Sequence, residues 1–192
     1  RNKETEKESP LYLVRPEQEY ISYGKGAMAF NALQYYVGEE KLNKVLKFFL
    51  EKHKFRTGQY PGSTDLIKQL KKHIPIKFHY IINDMMETIT FYDNKIIDIE
   101  ELPNNQLEII FSIRKMDSTQ INEVEADNVF LTIAQYDKVG NLLQIEEIKA
   151  SSGKNIIIIN KMAGATNIQL DPFLHFIELN IEDNRHFLGR IE

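Results

Sequence analysis

Tyr23 stands immediately before a Gly-Lys-Gly step, in the string YISYGKGAM at residues 20–28. A phenol stays protonated at neutral pH and donates a hydrogen bond without adding charge, which suits it to a developing oxyanion. Taken alone, Tyr23 reads as a packed aromatic with its hydroxyl hydrogen-bonded. Gly24-Lys25-Gly26 invites a phosphate-loop reading and fails it. The first glycine of that motif would fall at Glu19, no Ser or Thr follows Lys25, and no apolar strand leads in. The residues instead suggest two glycines that let a neighbouring backbone approach the start of a buried helix.

Little else in the chain points to chemistry. The five histidines are His53, His73, His79, His175 and His186, and no pair has H-E-x-x-H spacing. His73 and His79 are separated by Pro75 and do not share a helix face, so the histidines read as solvent-facing or satisfied. No zinc site made by this chain alone is expected. The absence of cysteine excludes disulfides, thiolate metal sites and a cysteine nucleophile. No serine, histidine and acid are spaced to select a triad. The acidic run at residues 123–127 lacks the order and central glycine of a calcium loop and reads as a solvated loop. A net charge of −4 argues against nucleic acid and anionic lipid as partners. No stretch approaches the roughly 20 apolar residues that span a bilayer.

The elements that must position Tyr23 follow from the period of the apolar residues. Helical spacing holds from about residue 18 to 86, and strand-like alternation from about 89 onward. The first helix is expected over residues 19–37. Ala29, Phe30, Ala32, Leu33, Tyr36 and their neighbours cover most of its circumference, so it should be buried on most sides and end at Gly38. A second helix carries the stripe Leu42, Val45, Leu46 and Phe49, with Glu39 and Glu40 at its positive end and Lys52, His53 and Lys54 at its negative end. A third starts with Ser63 or Thr64 as N-cap and stops before Pro75. A short fourth carries Phe78, Ile81, Ile82 and Met85.

Extended segments are expected at residues 89–92 and 96–102, about an Asp93-Asn94 turn, and at 107–114 and 129–133. A hairpin through residues 137–141 leads into 142–148, with further strands at 155–159 and 165–170. The expected fold class is therefore α+β in two parts, an N-terminal α-helical bundle fragment followed by an antiparallel β-sandwich. Residues 1–15 read as a disordered linker, 16–92 as the helical part and 93–192 as the sandwich.

The string YISYGKGAM resembles zinc aminopeptidases of the aminopeptidase N family. There a Tyr followed by x-Lys-Gly-Ala/Ser opens a helix that continues through a Leu to a Gly-Glu pair, here Leu33, Gly38 and Glu39. Residues 42–67 are similar to the family's next helix, its aromatic-Arg segment and an Asp-Leu helix start. INDMMETITFYDNK (82–95) and ATNIQLDPFLHFIELNIEDN (165–184) resemble a bacterial branch in which the peptidase is fused behind an ABC-type permease. The resemblance covers most of the chain. It makes residues 16–92 the helical tail of a peptidase catalytic domain and matches Tyr23 to the family's catalytic tyrosine. Gly24, Lys25 and Gly26 then bind substrate or support the site.

In that family zinc activates a water for attack on a peptide carbonyl, and the tyrosine hydroxyl bonds the oxyanion. The family's H-E-x-x-H, its distant Glu ligand and its substrate-amine motif lie upstream of the tyrosine, and none is present here. The chain, which opens on Arg1 inside a charged stretch, is thus expected to be a truncated tail, inactive alone and needing no cofactor itself, with zinc in the parent. Its partners would be the upstream catalytic domain and, in the parent, a peptide substrate. A homo-oligomer is also expected, because faces of the first helix lose their cover. The fragment should be soluble and its parent bacterial and membrane-anchored. The alternative is a non-catalytic interaction or support module of a transporter-associated membrane protein.

Overall fold

Gly38 adopts φ +90°, a backbone that costs side-chain-bearing residues dearly, and it separates helix α1 (Gly26–Val37) from helix α2 (Glu39–His53). Nothing lies within 4 Å of where its Cβ would be, so Gly38→Ala incurs only the backbone strain. We expect that change to destabilise the helical unit by about 1–2 kcal/mol in urea unfolding followed at 222 nm.

The computed structural model describes residues 8–189. The chain divides into two units, the first ending at Thr90 and the second opening at Phe91, two residues earlier than the expected start at residue 93. The reason is that the first strand begins at Phe91. Both helix and strand are present, with two antiparallel sheets, so the class is mixed α+β. No helix among the described residues is long and apolar enough to cross a membrane.

In the first unit, helix α3 (Ser63–His73) follows α2, and a final helical stretch comprises a 3₁₀ turn (Ile76–Phe78), α4 (His79–Ile82) and a π-helical turn (Asn83–Glu87). Neither Ser63 nor Thr64 is the N-cap of α3. Gly62 takes that position, and the Asp65 carboxylate reaches back to accept its N–H at 2.9 Å. Ala29, Ala32, Leu33, Leu42, Val45, Ile67, Leu70, Ile81 and Ile82 form the core. Helix α1 buries one face only; Ala27, Asn31, Gln34 and Tyr35 are exposed, contrary to the expected burial on most sides. Residues 8–15, expected within a linker, carry a 3₁₀ turn (Leu11–Leu13), and Glu8 pairs with Lys25. Residues 1–7 of that expected linker lie outside the described residues.

In the second unit one sheet holds β1 (Phe91–Leu102), β2 (Gln106–Met116), the short β3 (Glu123–Val124) and β6 (Gly153–Asn160). The other has the order β5-β4-β7-β8, with β4 (Val129–Tyr136), β5 (Leu142–Ala150), β7 (Asn167–Leu170) and β8 (Arg185–Phe187). Alternate residues of β2 (Leu107, Ile109, Phe111 and Ile113) and Leu131 and Ile133 of β4 are fully buried. β1 runs unbroken through Asp93-Asn94, where a turn was expected. The Glu178 carboxylate explains this, accepting both the N–H of Asn94 (2.8 Å) and its Nδ2 (2.7 Å) and holding it in an extended backbone. The acidic run is not all loop, because Glu123 pairs with Met116 and Val124 with Lys115.

Candidate functional site

Residues 20–25, expected as the first turns of a regular helix, form a π-helical turn that leads into α1. Such a turn holds one residue more than an α turn, so it shifts the directions of the side chains on either side of it. Ile21 and Lys25 are turned inward and buried, whereas Tyr23 is 77% exposed. The packed, internally bonded tyrosine suggested by composition is therefore not found; the ring is presented at the surface. Ser22 steadies the turn by donating from Oγ to the carbonyl of Glu19 at 3.1 Å.

Lys25 is 6% exposed. Its ammonium lies 3.5 Å from Oε1 of Glu8 and 3.4 Å from the carbonyl oxygen of Thr88. Burial lowers its pKa, and the neighbouring Glu8 carboxylate opposes the shift. This lysine ties the segment before the turn to the end of the helical unit. No backbone among the described residues closes on Gly24 or Gly26, contrary to the residue reading. A Cβ at Gly24 would meet nothing within 4 Å, and one at Gly26 only Leu11 Cδ1 at 3.9 Å. Since Gly24 sits in helical backbone with open space beside it, Gly24→Ala should stabilise this chain by about 0.5–1 kcal/mol in thermal unfolding.

Beside the turn lies a cleft of about 250 Å³ whose lining includes Leu11, Tyr12, Ser22, Gly26, Phe30 and Met86. Tyr23 does not line it. Among the described residues no three His, Asp or Glu side chains converge as a metal-holding group. His73 and His79 hydrogen-bond the backbone carbonyls of Gln69 and Ile74 through Nδ1 (2.9 Å) and Nε2 (3.0 Å).

A second polar cluster, in the sheet unit, escaped the sequence reading. Asp171, His175, Asn94 and Asn184 are all buried. Asp171 accepts the backbone N–H groups of His175 (3.0 Å) and Phe176 (3.1 Å), and its Oδ1 lies 3.5 Å from His175 Nδ1. Glu178 holds Asn94 and also accepts Nδ2 of Asn184 at 3.2 Å. Burial pushes Asp171 up to about 6 against the pull of its two N–H donors, and pushes His175 down to about 4. Burial also lifts Glu178 to about 7; the bonds from Asn94 and Asn184 oppose this, and the Asp171 charge adds to it. The signal available in the sequence was an ionisable His and Glu set within the apolar run FLHFIEL. The cluster fastens residues 171–184 to β1, where Leu179 donates to the carbonyl of Tyr92 at 2.8 Å and Ile96 donates to that of Asp183 at 3.0 Å. No protein-family model matches the chain, and no curated protein is matched by its sequence.

Proposed function

We propose that this chain is the C-terminal part of a zinc-dependent aminopeptidase-like protein, supplying a transition-state hydroxyl from Tyr23 and inactive by itself. The observation that carries the reading is the outward presentation of Tyr23 from a π-helical turn, a distortion frequent at functional sites. Its neighbours Ile21 and Lys25 anchor that turn inside the unit. Gly24 adds support. It occupies a helical position where this chain's own packing has no need of glycine, which fits close approach by another part of the active site.

The zinc, held by upstream residues, would supply Lewis-acid polarisation and an activated water. Tyr23 would donate its phenolic O–H to the oxyanion, and Lys25 would fix the turn from behind. The sheets would pack face to face as a β-sandwich that supports the catalytic domain. Burial of alternate residues of β2, and of β4 continuously from Leu131 to Gln135, favours this arrangement. The parent would be a bacterial membrane-anchored protein fused to a permease and acting on peptides. The coding sequence ahead of Arg1 tests the proposal. An H-E-x-x-H followed by a helical Glu is expected. A natural start codon there, or the motif with its ligands replaced, would overturn the peptidase role in favour of a non-catalytic support module.

A further inference from the structure

We propose that β6 is an interface strand, pairing antiparallel through its open edge with the β6 of a second copy of this chain. The other edges are blunted, as natural sheets require. The start of β1 is flanked by residues 177–183, and β1 carries a register shift at Ile96/Asp98. β5 presents Glu146, Glu147 and Lys149, and β8 has three residues. β6 has none of these protections. It pairs with β2 in unbroken register from Gly153 to Asn160, contains no proline, and its one charge is Lys154.

The ladder fixes which backbone groups are free. Lys161 donates to Asn105, so the antiparallel alternation directs Ile159, Ile157 and Asn155 towards β2. The N–H and C=O groups of Lys154, Ile156 and Ile158 therefore point to the open edge. On the same residues the side chains of Ile156 and Ile158 are 56% and 55% exposed. An Ile-Ile-Ile-Ile run on an edge, with Ile156 and Ile158 exposed, is a template for another strand.

A second copy fits this edge because the strand matches its own reverse. With the two-fold axis at Ile157, Ile156 faces Ile158 of the other copy twice, Ile157 faces Ile157, and Lys154 faces Asn160. Every apolar side chain at the centre meets another, and no like charges oppose, which an isologous contact demands. One strand pair buries less than the roughly 1,200 Å² of stable complexes, so the dimer should be weak, dissociating in the micromolar range or above. This pairing does not depend on the role of Tyr23.

The test uses the whole chain in sedimentation velocity from about 10 to about 500 μM, bracketing a weak complex. A concentration-dependent dimer is expected, and the outward-facing double change I156K/I158K should render it monomeric. Because the chain has no cysteine, Ile157→Cys gives an independent readout. Across a non-hydrogen-bonded pair the two Cα atoms lie about 4.5 Å apart, within disulfide reach. Oxidation should link that variant as a dimer far more completely than Val139→Cys, in the exposed β4–β5 hairpin. A monomer throughout, a dimer that survives I156K/I158K, or equal linkage of the two cysteine variants would overturn the proposal.

Discussion

Tyr23→Phe in the longer, zinc-bearing protein should lower kcat for peptide hydrolysis about 10²–10³-fold, with zinc content unchanged. The change removes one hydroxyl and keeps the ring. An oxyanion donor acts on charge that exists only in the transition state, so kcat and kcat/KM should fall together. A side chain 77% exposed in this unit contributes little to its packing, so the same change in the present chain should shift stability by less than about 0.5 kcal/mol. The pair of measurements separates a chemical role from a structural one. Undiminished turnover would remove Tyr23 from the mechanism, and loss of zinc would show that the substitution had damaged the metal site instead.

Acid should stabilise the sheet unit between about pH 7 and pH 4, the reverse of ordinary acid denaturation. Asp171 and Glu178 have folded pKa values raised to about 6 and about 7. A raised carboxyl contributes stability that is full below its unfolded pKa, near 4, and is lost as pH rises through the folded value. His175 works the other way. Its folded pKa is lowered to about 4, so its contribution is present above about pH 6.5 and is lost as pH falls towards 4. Two carboxyls outweigh one imidazole, and the net gain is of order 3 kcal/mol on going from pH 7.5 to pH 4.5.

Glu178→Gln should flatten that dependence, leaving Asp171 and His175 nearly to cancel. The substitution is sterically mild, and the unpaired Oδ1 of Asn94 offers an acceptor for the new amide once the Asn94 side chain turns over. Urea unfolding read by hydrogen exchange in peptides from residues 91–189 checks both statements. An unsubstituted chain that loses stability over the same window, or a variant with an unaltered slope, would contradict the assignment of Glu178 as a buried, proton-holding carboxyl.

Local chemistry explains why several elements were legible. Leu42, Val45, Leu46 and Phe49 recur at helical spacing between glutamates and basic residues, and α2 spans Glu39–His53. Gly38 ends α1 because a positive φ suits glycine. The hairpin at residues 137–141 is built by Asp137, whose carboxylate accepts the N–H groups of Val139 and Asn141. All of these depend on neighbours within a few residues.

Two of the misreadings depend on groups far away in the chain. Asn94 carries a turn signal, yet it lies inside a strand because Glu178, 84 residues on, supplies its bonds. The open face of α1 depends on what packs against it, which helical periodicity alone does not specify. Residue order alone located most of the helices and strands and set Tyr23 near the N-terminal end of the first helical stretch. Folding in three dimensions is what turns the tyrosine outward, buries Lys25, and brings Asp171, His175 and Glu178 together. The physical reason is that periodicity records short-range preference, whereas burial and charge burden are properties of contacts that folding alone creates.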